Sequence, residues 1–404
     1  MKKSNKLARN IGLPLVTLYG LGTILGAGIY VLVGKVAGEA GLFTPLAFLV
    51  AAIIAGITGL SYVQLVVMFP RSAGEAVYVK ASFNNQFLSA IVGWLIVFTG
   101  IVSCATLANG FVGYLNQFIQ ISEQSAIILI VLSFGGLAIW GISESLWVSA
   151  IMTLIEIAGL LLIIVLQRDA LTQIPQLVTT LNIPNSSTVI MGVLSGAFLA
   201  FYAFIGFEDM VNIVEEVKVP ERTMPRSIFL AITISTLLYI LIALVAIAVI
   251  PIEELANSDT PLPLLVQEYG KLANQFIAVI GLFAIVNGIL IQIIMASRVL
   301  YGMACQHSAP SLFKRINQTT QTPHYATLLI TGLVLIMALW FPMVALAKTT
   351  SFIILIVFTV VNLALIKLQH SRNYQDRTPL PTFPWLGAIL CISLLIFQLY
   401  IILK

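Results

Sequence analysis

Charge and glycine fall in this chain where apolar sequence should carry neither. Glu156 stands alone in "SAIMTLIEIAGLLLIIV", residues 149–165, and Glu208 and Asp209 close the run "FYAFIGFED", residues 201–209. A carboxylate in such surroundings can exchange a proton, attract a cation or accept a hydrogen bond from a neighbouring helix. The stretch "GTILGAGIY", residues 22–30, offers a different chemistry, because Gly26, Ala27 and Gly28 are a weak point in the middle of a helix. A helix interrupted there exposes backbone N–H groups on one half and carbonyls on the other. That pair suits a carboxylate and an ammonium group, the two ends of an amino acid.

The elements that carry these groups must lie in lipid. Of the 404 residues 59% are hydrophobic and only 9% charged, with mean hydropathy +1.04, against roughly 25% charged in a soluble domain. Apolar runs centre on 11–34, 42–69, 87–116, 124–143, 146–166, 188–212, 227–250, 272–304, 325–346, 349–367 and 384–403. Each approaches the ~20 helical residues that cross a bilayer and is too uniformly apolar for a barrel strand. The expected fold is an all-α integral membrane protein with about 11 transmembrane helices. Beyond a cytoplasmic N-terminus, 1–10, it divides into a first five-helix repeat over 11–166, a second over 188–367 and an extra C-terminal helix, 384–403. Inverted repeats place helix breaks at corresponding positions, so spans one and six should both be unwound at the midplane. The sixth break falls at Gly206, and a half-helix from about Phe207 puts Glu208 and Asp209 near its N-terminus, where the dipole favours them.

Placing the N-terminus in the cytoplasm leaves only Lys35, Arg168, Lys271, Lys348 and Lys404 outside, and the other fifteen of the 20 Lys and Arg residues inside, as the positive-inside rule requires. The net charge of +4 is spread over short loops, so no nucleic-acid partner is implied. Cys104, Cys305 and Cys391 lack metal-ligand spacing and read as small core residues; no metal, cofactor or disulfide framework is expected. His307, His324 and His370 fall in loops, and no nucleophile elbow or paired metal histidines occur, which argues against an enzyme. A channel would want a continuous polar or charged ring, which the apolar spans lack. The sequon Asn185-Ser186-Ser187 lies on the predicted outer side.

Five stretches, in order, resemble the amino acid, polyamine and organocation transporter superfamily over nearly the whole chain. They are "GTILGAGIY", "FPRSAGEAVYVKASF" (69–83), "FYAFIGFED", "EEVKVPERTMPRSI" (215–228) and "ASRVLYGMACQHSAPSLFKRINQTTQTPHYA" (296–326). The resemblance implies the five-plus-five inverted-repeat fold of leucine-type transporters, in which spans one, two, six and seven rock against a scaffold. It assigns the substrate carboxylate to the backbone of Gly26, Ala27, Gly28 and Ile29, and the α-amino group to carbonyls around Ile24 and Phe201 to Phe204. Gly206 marks the break. Tyr202 stands where exchangers of the family carry a gating aromatic, and Glu208, which matches an acidic position of several branches, is read with it as a gating residue.

Two features depart from the family pattern. Members commonly have twelve spans against eleven here, so oligomer contacts through the last helices cannot be transferred. Glu156 stands where proton-coupled members often have a lysine. An ionised acid at the helix centre costs roughly 2.5–3.5 kcal/mol on insertion scales, so Glu156 is read as the proton-coupling residue; the alternative is a permanently protonated acid bonded to the next helix. Thr99, Ser103, Thr106, Asn287 and Gln292 either face the pocket or link helices, and the loop 215–228 reads as a cytoplasmic latch fixing the start of span seven. The expected function is secondary active transport of amino acids across the plasma membrane by alternating access, coupled to a proton. An amino acid or polyamine exchanger and a non-transporting sensor remain as alternatives. The phenylalanines of 201–207 favour an apolar substrate side chain, and Glu208 with Asp209 a cationic one.

Overall fold

The computed structural model describes residues 10–70, 74–140, 146–172, 187–317, 319–371 and 382–404. Residues 1–9, with Lys2, Lys3, Lys6 and Arg9, lie outside the described residues, as do Arg71, Arg372, Arg377 and the sequon residues Asn185 and Ser186.

Prolines and caps set where the helices begin. The first helix, α1 (Leu13–Ala40), opens on Pro14, and α2 (Thr44–Met68) on Pro45, positions whose missing N–H costs nothing. A short helix, α3 (Gly74–Phe83), precedes α4 (Gln86–Leu115), where the Asn85 side chain accepts from the Phe87 and Leu88 amides at 2.9 and 3.1 Å. Then follow α5 (Glu123–Trp140), α6 (Leu146–Leu166) and α7 (Ser187–Ala200). Beyond α7 come two 3₁₀ segments, Phe201–Phe204 and Phe207–Glu216, with Ile205 extended between them. The chain continues through α8 (Pro220–Val249), α9 (Lys271–Cys305), α10 (His324–Trp340), α11 (Met343–Gln369) and α12 (Phe383–Leu403).

Among the described residues nine helical stretches are long and apolar enough to cross a membrane, one of them running from Gly28 through α2 to Met68. With the shorter apolar helices Leu13–Gly26 and His324–Trp340 they account for all eleven expected segments. The boundary between the ninth and tenth moves, however. The sequence reading places it near residue 347; the structure ends α10 at Trp340 and starts α11 at Met343. Pro342 cannot continue a helix, and the uncharged run around it hides that stop.

α1 runs through the middle of the bundle, packed against α6, α7 and α8, while α4 lies against α9 and α11. Near its start, the backbone of Ile11 pairs with the loop after the second 3₁₀ segment: the Ile11 N–H donates to Glu216 O at 3.1 Å and the Lys218 N–H to Ile11 O at 3.0 Å. This pairing joins the residues ahead of α1 to the stretch 215–228. At the opposite end, Lys35 Nζ donates to Ala256 O at 2.9 Å and lies 3.6 Å from Asp259, and Lys348 meets Glu39 at 2.6 Å. The first pair ties α1 to the acidic segment after α8, which folds into the helices Ile252–Asn257 and Pro261–Leu264; the second ties it to α11.

Candidate functional site

Both expected breaks are present, and they cross. In α1 the helix is interrupted at Gly26, whose φ of −23° and ψ of −156° are non-helical. The second break centres on Gly206, where φ is +124°, a conformation that glycine adopts without strain. A Cβ on Gly206 would stand 2.3 Å from Thr23 O, and one on Gly28 2.7 Å from Ala203 Cα. Glycine at these two positions is therefore what lets one broken segment rest on the other.

The crossing is bridged by Tyr239 of α8. Its fully buried hydroxyl lies 2.6 Å from Ile24 O and 2.9 Å from Ala203 O, one carbonyl from each break. The ring is fixed against Phe204 at 5.1 Å and Phe48 at 5.7 Å between centroids. Glu208 closes the second break from within: the Gly206 N–H donates to its Oε2 at 2.8 Å.

Beside the crossing lies a small cavity. α1 contributes Gly22, Thr23, Ile24, Gly26 and Gly28, and the second broken segment contributes Tyr202, Ile205 and Asp209. The facing wall is Ser103 and Leu107 of α4 with Gly288, Ile291 and Gln292 of α9. Tyr202 reaches across to that wall, its hydroxyl 3.0 Å from Ser103 Oγ and 3.1 Å from Ser103 O. Of the residues expected at the site, Ile24, Gly26, Gly28 and Tyr202 line the cavity. Ile29, Phe201, Phe204 and Gly206 lie behind it, with Phe201 packed on Phe358 at 5.9 Å. The backbone of Ala27 continues the helix beyond the break.

Of the undecided polar residues, Ser103 and Gln292 are in the wall. Thr99 and Thr106 each donate to the carbonyl four residues earlier in α4, and Thr106 also lies within hydrogen-bond reach of the Tyr202 hydroxyl. Asp209 lines the cavity where the sequence pointed first to its neighbour Glu208. Tyr239 has no mark in the sequence, because one aromatic in a long apolar helix carries no signal of what its hydroxyl will meet.

Glu156 is fully buried in α6, outside the cavity. Its backbone carbonyl accepts from the Tyr30 hydroxyl at 3.0 Å, and its carboxylate acts electrostatically on both Tyr30 and Tyr239.

An aromatic cluster packs between the second break and α3. The Tyr62 ring meets Phe207 and Phe358, each at 5.5 Å and edge to face, and its hydroxyl donates to Glu75 Oε1 at 2.9 Å. Burial pushes the Glu75 carboxyl above its ordinary range, while backbone N–H groups and Tyr62 pull it back.

Comparison with known proteins agrees with this architecture. The substrate-bound, outward-open structure of a Na+-coupled sialic acid symporter superposes with a TM-score of 0.67 at 14% identity, covering 98% of this chain and 91% of that one. That likeness shows the fold, five-plus-five with inverted repeats. The branched-chain amino acid permease BcaP of Bacillus subtilis is 26% identical over 96% of this chain and 88% of its own length. The cationic amino acid transporter 3 of Arabidopsis thaliana, a mitochondrial protein, is also 26% identical, over 93% of this chain and 65% of its own, longer sequence. The B. subtilis methylthioribose transporter is 25% identical over 96% of this chain and 88% of its own. Such relatives are transporters and not enzymes. The family model described as amino acid permease matches residues 11–403, and the chain, a multi-pass membrane protein, belongs to the amino acid permease family.

Proposed function

We propose that this protein carries an amino acid across the plasma membrane by alternating access, coupled to a proton, with its N-terminus in the cytoplasm. The crossing of two broken segments beside a cavity carries the reading: Gly26 and Gly28 bring backbone to the cavity from one, Tyr202 and Asp209 come from the other. The substrate carboxylate binds the N–H groups of Gly26 to Ile29 at the start of the far half of α1, where the helix dipole favours a negative charge. The α-amino group donates to the carbonyls at Ile24 and the Phe201–Phe204 turn. Residues 11–166 and 188–367 serve as the two repeats, and α12 is additional. Tyr202 gates the site, and Glu208 holds the second break in shape.

Glu156 supplies the coupling. Its buried carboxyl lies within electrostatic range of Tyr239, the residue that bridges both breaks, so gaining or losing a proton there changes the field at the carbonyls that receive the substrate. A change far from the cavity therefore reaches the substrate through one hydroxyl.

The test is uptake of labelled amino acids and polyamines into liposomes holding the purified protein, with and without an inward proton gradient, and with counter-substrate inside. Accumulation that needs the gradient supports symport, and Glu156→Gln should then abolish accumulation while sparing exchange. Uptake that responds only to counter-substrate favours an exchanger. Binding without flux under every condition favours a sensor and overturns the proposal.

A further inference from the structure

Gln292 brings to the cavity wall a buried acceptor that has no partner among the described residues. Ser103 and Tyr202 bond to each other, whereas Gln292 Oε1 is buried and accepts from no described residue. A buried acceptor without a donor loses the full hydration of the group, and because Gln292 lines the cavity a bound substrate is the group placed to supply that donor. The neighbouring helix makes room for it: a Cβ on Gly100 would lie 3.4 Å from Oε1.

The surroundings define what would reach it. Leu107 and Ile291 add aliphatic wall to the same lining, and a Cβ on Gly288, also in the lining, would stand 2.7 Å from Leu107 Cδ1. Asp209 is the acidic side chain among the lining residues, and no Lys or Arg lies among them. With the carboxylate and amino group held at the two breaks, the side chain of a bound amino acid points towards α4 and α9.

We propose that Gln292 sets the class of substrate side chain, admitting one with an apolar stem and terminal N–H donors in preference to a wholly aliphatic one. This rests on the amino acid transport reading above. Donor-ended chains come in two kinds, cationic (lysine, ornithine) and amide (glutamine), and both satisfy the carboxamide. Norleucine matches the stem of lysine without its nitrogen and isolates the effect.

The experiment is competition binding on the purified full-length protein with lysine, ornithine, glutamine, norleucine and leucine, repeated in Gln292→Leu and Gln292→Glu. Wild type should bind lysine or glutamine roughly 10- to 100-fold better than norleucine, the ratio that leaving one buried acceptor unsatisfied amounts to. Gln292→Leu should collapse that ratio while leucine still binds, and Gln292→Glu should shift preference towards lysine over glutamine. Equal binding of norleucine and lysine by wild type overturns the proposal, as does an unchanged ratio in both variants, with the transport reading left standing. Failure of every amino acid to bind overturns both. Should Gln292→Leu not fold, the charge-bearing variant decides through the lysine-to-glutamine ratio.

Discussion

Tyr239 and Ile24 are joined across the centre of the bundle: the phenol hydroxyl of one lies 2.6 Å from the carbonyl oxygen of the other, and 2.9 Å from Ala203 O beyond it. A hydroxyl has one proton and cannot fully satisfy two acceptors at once. Tyr239→Phe strips both carbonyls of this donor, and each buried group left unsatisfied costs about 1–3 kcal/mol. The expected outcome is a lower melting temperature in detergent together with slower uptake. Unchanged melting would show that the hydroxyl carries little of the crossing.

Gly206 and Gly26 mark the two breaks and should respond oppositely to a methyl group. Gly206→Ala meets Thr23 O and an unfavourable φ of +124°, so it should destabilise by about 1–3 kcal/mol or more. Gly26→Ala meets nothing within 4 Å but projects into lined space. It should spare melting and weaken substrate binding. Binding isotherms and melting curves on both variants separate the two effects.

How much of this was legible in the sequence follows from what each residue needs. The breaks were readable because glycine clusters and an acidic pair are costly in lipid, and the span count because hydropathy integrates over many residues. α3 was missed because ten residues beside a polar loop leave no apolar run. Tyr239, Asp209 and Gln292 gained their roles only from which helix faces which, and spacing within one helix holds no record of its neighbours. Gln292 and Ser103 were at least on the correct face, since a polar residue within an apolar span already needs a partner.

Glu75 gives the protein an unusual acid response. Its carboxyl titrates higher in the folded protein than its ordinary value of 4.5, so the folded state holds more protons than the unfolded one above that pH. Stability attributable to this group is therefore full at low pH and declines as pH rises from 4.5 through the elevated value. Glu75→Gln should flatten that decline. Tyr62→Phe removes a hydrogen bond that favours the ionised acid and should extend the decline to higher pH. Melting temperature against pH checks both signs.

Lys348 and Glu39 make a half-exposed pair between α11 and the end of α1. A pair of this kind contributes about 0.2–1 kcal/mol and weakens with salt. Glu39→Gln and Lys348→Gln should each shift the balance of conformations open at that end by up to about fivefold. The double variant should do no more than either single one. Spin-label distances across the two helices at low and high salt would report this.

The pairing of Ile11 with the backbone at Val217 also bears on how the protein is made. The ribosome delivers the start of α1 long before residues 216 to 218, so that start has no partner while the first half of the chain enters the bilayer. Chains grow from the N-terminus at roughly 5–20 residues per second, which leaves the first helix unfastened at one end for ten seconds or more. Its two close contacts with the second broken segment, at Ala203 and Gly206, wait for the same moment. The central cavity is accordingly assembled late, in one step, when the sixth crossing segment arrives and the chain that began the protein is finally tied down.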